Sequence, residues 1–287
     1  MKAAFRRVGA AYLAAGVGAV VVASAGPWQH PIAVAAAADV AATLVVFAFS
    51  FAYRNSSFYD AYWSVAPIAI VFYWILRPET PQVDGTRQLL LAALVVAWGL
   101  RLTFNWARGW EGLGHEDWRY VDLRHKTGRA YWLVSFVGLH MVPTVIVFLA
   151  CLPLYAAVAA GSHPLGVLDG VAALVTAAAI AIEAGADHQL RRFRQSPHEP
   201  GDLLASGLWS WSRHPNYFGE MLFWWGLYLF ALAAAPSWWW TIVGPLSITV
   251  MFFAASLPMI EERMLARRPS YAAHAQRTSL VIPRPPR

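Results

Sequence analysis

The sharpest local signal in the chain is Arg213-His214-Pro215-Asn216-Tyr217-Phe218-Gly219-Glu220. Pro215 suits the first position of a helix, where its missing N–H has no partner to lose. A helix beginning there turns free backbone N–H groups toward an anion, with Arg213 and His214 beside those donors. Asn216, Glu220 and Trp224 follow at four-residue intervals on one face, and Trp209 lies just upstream. The pattern suits a small ligand with a phosphate outside the membrane and an aromatic ring inside it. A positively charged membrane collar plus a helix cap is the plainer use of the same residues.

Three other polar groupings accompany that motif. Glu183, Asp187, Arg191 and Arg194 have offsets of 4, 8 and 11 residues. At about 100° per residue these fall within an arc of about 80° on one helix face. The acidic end could hydrogen-bond a sugar or amide while the arginines meet phosphates; internal Asp187-to-Arg191 pairing is the structural alternative. The connection Gly114-His115-Glu116-Asp117-Trp118-Arg119-Tyr120 is dense in hydrogen-bonding groups. Beyond the last apolar run, Glu261-Glu262-Arg263 precedes Arg267, Arg268 and Tyr271, a stretch that also reads as an amphipathic interfacial helix. Inside apolar runs, Asp39, Asp60, Arg101 and His140 are costly and need partners. Asp39 and His140 read as helix-to-helix hydrogen bonds, and Asp60, at the extracytoplasmic or interfacial start of its run, as a helix cap. The histidines lack metal-ligand spacing, no metal site is expected, and the chain has no Gly-rich nucleotide loop of the soluble kind.

These residues must be held by membrane helices. Of 287 residues, 58% are hydrophobic and 13% charged. The apolar residues gather into runs near 8–25, 32–53, 58–76, 88–107, 131–157, 165–190, 215–234 and 238–260, most of them long enough to span about 30 Å of hydrocarbon. The reading is an all-α polytopic helical bundle of seven or eight transmembrane helices. Residues 1–30 form an extra helix or, given Lys2, Arg6, Arg7 and the ending Ala23-Ser24-Ala25, a signal peptide; residues 31–287 form the main domain. With the N-terminus cytoplasmic, every Lys and Arg except Arg77, Arg87 and Arg101 falls in a cytoplasmic connection, Arg287 included, as the positive-inside rule requires. The net charge of +6 is therefore a topology signal, and no nucleic-acid partner is expected. The sole cysteine, Cys151, excludes a disulfide framework.

At these residues the chain resembles the steroid 5α-reductase superfamily, specifically its bacterial membrane branch of unassigned function, over about residues 35–284. The match rests on Arg213 to Glu220, Asp60 to Trp63, Gly114 to Tyr120, the Glu183-to-Phe193 stripe and the ending Tyr271 to Pro283. The resemblance implies NADPH entering from the cytoplasm and donating a hydride to the β-carbon of an enone in a steroid- or isoprenoid-like substrate. It implies dinucleotide contacts from Asp187, Arg194, Asn216 and Glu220, with Trp224 near the same pocket. The remaining cofactor candidates are Glu116, Arg119, Tyr120, Glu183, Arg191, Trp209, Arg213, His214, Tyr217, Glu262 and Tyr271. Asp60 falls where the steroid enzymes carry a glutamate that acts with a tyrosine on the substrate carbonyl. Trp98 stands at the tyrosine position, so the expected catalytic set is Asp60 with Tyr59 or Tyr62. The expected partners are a lipophilic small molecule and membrane lipids, the expected location an inner membrane if bacterial, and the expected state a monomer. A methyltransferase using S-adenosylmethionine would share the Arg-His-Pro turn and the Glu-Glu pair, though not a use for the extra arginines; a lipid-binding or transport protein is the non-enzymatic alternative.

Overall fold

In a computed structural model, residues 1–199 and 201–285 are described, and among them every apolar run becomes a helix. Arg287 lies outside the described residues. The helices are α1 (Lys2–Ala25), α2 (Pro31–Ala52), α3 (Tyr62–Ile75), α4 (Gly85–Gly109), α5 (Trp118–Thr127), α6 (residues 131–160), α7 (Val167–Gln195), α8 (Pro215–Ala234), α9 (residues 236–267) and α10 (Tyr271–Arg277). Seven helical stretches are long and apolar enough to cross a membrane. The exception is α3, whose 14 residues cover about 21 Å at 1.5 Å per residue. The shortfall is made up ahead of it, where Ser56–Tyr59 forms a single tight turn with Phe58 and Tyr59 fully enclosed.

The connections sort into two ends. At one end Asn55 Nδ2 donates to the Leu113 and His115 carbonyls, each at 3.0 Å, and Arg213 N–H donates to the Ser279 carbonyl at 2.9 Å. The N-terminus joins this end, with Arg7 over the Tyr53 ring at 5.1 Å. At the other end His30 meets Glu79 at 3.1 Å, and Arg87 reaches the residue 163–169 connection. The segregation follows the charge pattern of the sequence, which left Arg77 and Arg87 outside the basic connections. Arg87 is fully buried and paired with Asp169 at 2.7 Å.

The closest helix crossing is that of α7 and α8. A Cβ on Gly219 would stand 2.7 Å from Glu183 Cβ and 2.9 Å from the Ala179 carbonyl oxygen. One on Gly226, two turns along, would strike Thr176. Bare backbone at both positions lets the helices touch, and so draws Glu183 against the first turns of α8. On the far side, α1 packs on α2, and the Tyr12 hydroxyl donates to the Phe58 carbonyl at 2.9 Å.

Candidate functional site

A cavity of about 270 Å³ opens at the end that carries residues 196–214. It lies between the last turns of α7, the first turn of α8, the end of α9 and α10. Of the sequence candidates, Arg194, Trp209, Arg213, His214, Asn216, Tyr217 and Tyr271 line it. His198, Arg268 and His274 also line it; Arg268 was noted in the terminal stretch without being named as a cofactor contact, and His198 and His274 were missed. Three arginines and three histidines face this cavity, and no carboxylate is in its lining. Arg213 and His214 are committed elsewhere, because Arg213 forms an ion pair with Glu261 Oε2 at 2.6 Å while Glu261 Oε1 accepts from His214 Nε2 at 2.7 Å and from the Tyr271 hydroxyl. The sequence reading named Glu262, the neighbour of Glu261, as a cofactor contact. One position is 100° of helix rotation, and Glu262 is exposed while Glu261 turns inward. Arg194 is left without a hydrogen-bond or carboxylate partner among the described residues, and Arg268 binds only the Asp202 carbonyl. Arg194 and Arg268 are the cations free to meet an anion.

The walls are fixed by local contacts. Gly207 takes a φ of +61°, a left-handed conformation that glycine adopts without penalty. It starts a turn in which Leu208 N–H donates to Gln189 Oε1 and Trp209 Nε1 to the Ala186 carbonyl, both at 3.0 Å. Ser212 Oγ donates to the Val281 carbonyl at 2.7 Å and accepts from His214 N–H at 3.1 Å, which ties the Arg-His-Pro turn to the C-terminal strap.

The acidic stripe faces α4 rather than the cavity. Arg101 donates to Asp187 Oδ2 at 2.9 Å and forms an ion pair with Glu183 Oε2 at 2.6 Å. Asn105 donates to Asp187 at 3.2 Å and accepts from Arg191 at 2.5 Å. The Asp187-to-Arg191 pairing is thus replaced by pairing with α4, since α4 offers better-placed partners on the buried side. Asn216 reaches Asp187 Oδ1 at 3.4 Å and is the link between stripe and cavity. Glu220 is enclosed below it, accepting from Trp98 Nε1 at 2.9 Å and Trp224 Nε1 at 2.8 Å. Glu183, Asp187, Arg191, Glu220 and Trp224 therefore buttress the cavity floor without lining it.

The catalytic candidates are separated by direction. The Tyr62 hydroxyl donates to Asp39 Oδ1 at 2.6 Å, and that of Tyr59 lies 2.7 Å from Thr144 Oγ1. Asp39 and His140, the latter 3.1 Å from Ser50 Oγ, make the helix-to-helix hydrogen bonds expected of them. Asp60 points the other way and accepts from the Tyr120 hydroxyl at 2.6 Å. Two expectations for Asp60 are corrected. It does not cap α3, whose N-cap is Ala61, and it sits at the same end as the Glu116–Tyr120 connection, because 56–59 turns back toward that loop. Arg119 is clamped by Asp117 at 2.8 and 3.1 Å, and Glu116 by Arg124 at 2.9 and 3.1 Å.

A family model described as a protein of unknown function, DUF1295, matches residues 46–278. An uncharacterized protein of Schizosaccharomyces pombe is 28% identical over 253 residues, covering 80% of this chain and 73% of that protein. No solved structure matches.

Proposed function

The chain belongs to the DUF1295 family, and on that footing we propose that it is an NADPH-dependent membrane reductase acting on the activated C=C of a lipophilic steroid- or isoprenoid-like substrate, as its resemblance to the steroid 5α-reductases implies. The observation that carries the reading is the acid-free cavity with Arg194 and Arg268 at its rim and Trp209 and Tyr217 in its wall. Cations without carboxylates attract a polyanion, and guanidinium forks suit phosphate oxygens. S-adenosylmethionine, with a sulfonium and no phosphate, is the poorer match for such a lining. Such a lining would suit the phosphate-bearing part of a dinucleotide, and a helix N-terminus at Pro215 would add its donors. The basic end then faces the cytoplasm, where the cofactor is.

Bound NADPH would supply the hydride. The substrate enone gains that hydride at its β-carbon and a proton at its α-carbon, and its oxygen carries the transient negative charge. Asp60 and Tyr120 form the carboxyl–phenol pair that would meet this oxygen. Trp98, at the family's tyrosine position, instead donates to Glu220, so here the phenol comes from α5.

The test is a thermal titration of the purified protein with NADPH, NADH and S-adenosylmethionine, since a ligand of the native state raises its melting temperature by mass action. NADPH should stabilise most, and Arg194→Ala should weaken NADPH more than NADH. Stabilisation by S-adenosylmethionine alone would make the same cavity a methyltransferase site, and equal loss for both nicotinamide cofactors would remove Arg194 from the 2′-phosphate.

A further inference from the structure

A second cavity, of about 320 Å³, lies between α1, α2 and α3 and shares no residue with the basic one. Its walls are mostly Ala and Gly, among them Ala15, Gly16 and Ala19 of α1 and Ala35 and Ala38 of α2. Small side chains on three facing helices leave a slot where larger ones would close it. Gly16, Val20 and Ala69 at its margin are exposed although they sit in mid-helix, so the mouth opens sideways, toward the hydrocarbon rather than toward water. Along α1 the lining runs from Tyr12 to Ala23, about 16 Å at 1.5 Å per residue.

One end of the slot is polar. Asp39 lines it and is only 6% exposed. Its Oδ1 accepts from the Tyr62 hydroxyl at 2.6 Å, while Oδ2 has no hydrogen-bond partner among the described residues. Tyr12 stands beside it with its own hydroxyl already given to the Phe58 carbonyl. A carboxyl oxygen that opens onto an apolar slot without a partner is costly, and a ligand that reaches it through the lateral mouth relieves that cost. Water is a poor candidate for an approach through lipid. A molecule drawn from the membrane, apolar along its length and carrying one hydroxyl at its end, satisfies both the slot and the carboxyl.

We propose that the α1–α2–α3 cavity binds a lipophilic alcohol from the bilayer, its hydroxyl on Asp39 Oδ2 and its apolar length along the Ala- and Gly-lined slot. The site stands independently of the cofactor reading, because nothing in its lining belongs to the basic cavity.

The test is equilibrium binding of tritiated farnesol to the full chain in lipid nanodiscs, with unlabelled farnesol and its hydrocarbon counterpart farnesene as competitors. Saturable binding displaced by farnesol and at least tenfold less well by farnesene is expected, roughly the contribution of one hydrogen bond to a charged or strongly polar group. Asp39→Asn keeps a hydrogen-bonding group and should retain binding, whereas Asp39→Leu should erase the preference for farnesol. Ala19→Phe, which fills the slot from α1, and Ala69→Phe, which blocks its exposed mouth, should each abolish saturable binding while the melting temperature and elution volume stay those of the wild type. Equal displacement by the two competitors, or wild-type binding in either Phe variant, would overturn the proposal. Loss of NADPH stabilisation with farnesol binding intact would sink only the cofactor reading.

Discussion

Arg101→Ala is expected to lower stability by about 3–5 kcal/mol, the usual consequence of removing one partner from a buried ion cluster. The guanidinium lies between Glu183 at 2.6 Å and Asp187 at 2.9 Å, with side-chain exposures of 17%, 5% and 14%. Without it two carboxylates remain beside a third, Glu220, in a region closed by Trp98 and Trp224. Arg101→Lys should fall between, because one compact ammonium cannot serve two carboxylates in a fork. The triple change Arg101→Leu with Glu183→Gln and Asp187→Asn should recover much of the loss, since amides carry no charge to be compensated. Detergent unfolding of the four proteins, followed by tryptophan fluorescence, gives the comparison. Wild-type stability in Arg101→Ala would show that the carboxyls are neutral without it. The folded fraction of Arg101→Ala should also bind NADPH more weakly, because Asn216 at the cavity wall is held through Asp187.

That cluster shows where spacing along the chain stops being informative. The four-residue periodicity of Glu183, Asp187 and Arg191 correctly put them on one face, but a face has a front only when its neighbour is known. The neighbour is α4, whose Arg101 and Asn105 are more than 80 positions away in sequence, so residues that looked available for a ligand are occupied by protein. The same holds for Glu220, whose oxygens go to Trp98 and Trp224. Arg213, His214, Asn216 and Tyr217 were legible as neighbours lining one cavity because the proline-started helix and its flanking turn are local features. Which of Glu261 and Glu262 turns inward was not legible, because adjacent acids on a helix differ only in rotation.

The helices themselves were legible from run length, since hydrocarbon thickness sets a minimum that few other structures meet. Charge then sorted the connections between the two ends. The run from 58 to 76 misled on one count: its apolar start is a buried turn and not helix, which shortens α3 and carries Asp60 to Tyr120. An apolar pattern reports burial, and burial in a turn looks the same in sequence as burial in a span.

Arg87, one of the few cations outside the basic end, carries the other large expected effect. Its Nε and Nη2 donate to the two oxygens of Asp169 at 2.7 and 2.9 Å, and Nη1 and Nη2 to the carbonyls of His163 and Pro164 at 2.9 and 3.3 Å. Asp169 in turn accepts from Gly166 N–H at 2.9 Å and so closes the first turn of α7. The pair fastens the start of α4 to the start of α7 with exposures of 0% and 3%. Arg87→Ala strips two loop carbonyls and a buried carboxylate of their donors at once, for an expected loss of about 3–5 kcal/mol. Arg87→Met with Asp169→Leu removes both charges and should be markedly more stable than Arg87→Ala, because a paired buried charge contributes little beyond an apolar pair of like volume. The excess of the double variant over the sum of the single changes, read by chemical denaturation, is the coupling between the two residues. Additive losses would mean that the pair is not coupled and that the carbonyl contacts hold the end of the bundle. Unlike Arg101→Ala, the folded fraction of Arg87→Ala should bind NADPH as the wild type does, since the pair sits at the opposite end from the basic cavity, and so the two arginine variants separate a residue that holds the fold from one that holds the fold and the site together.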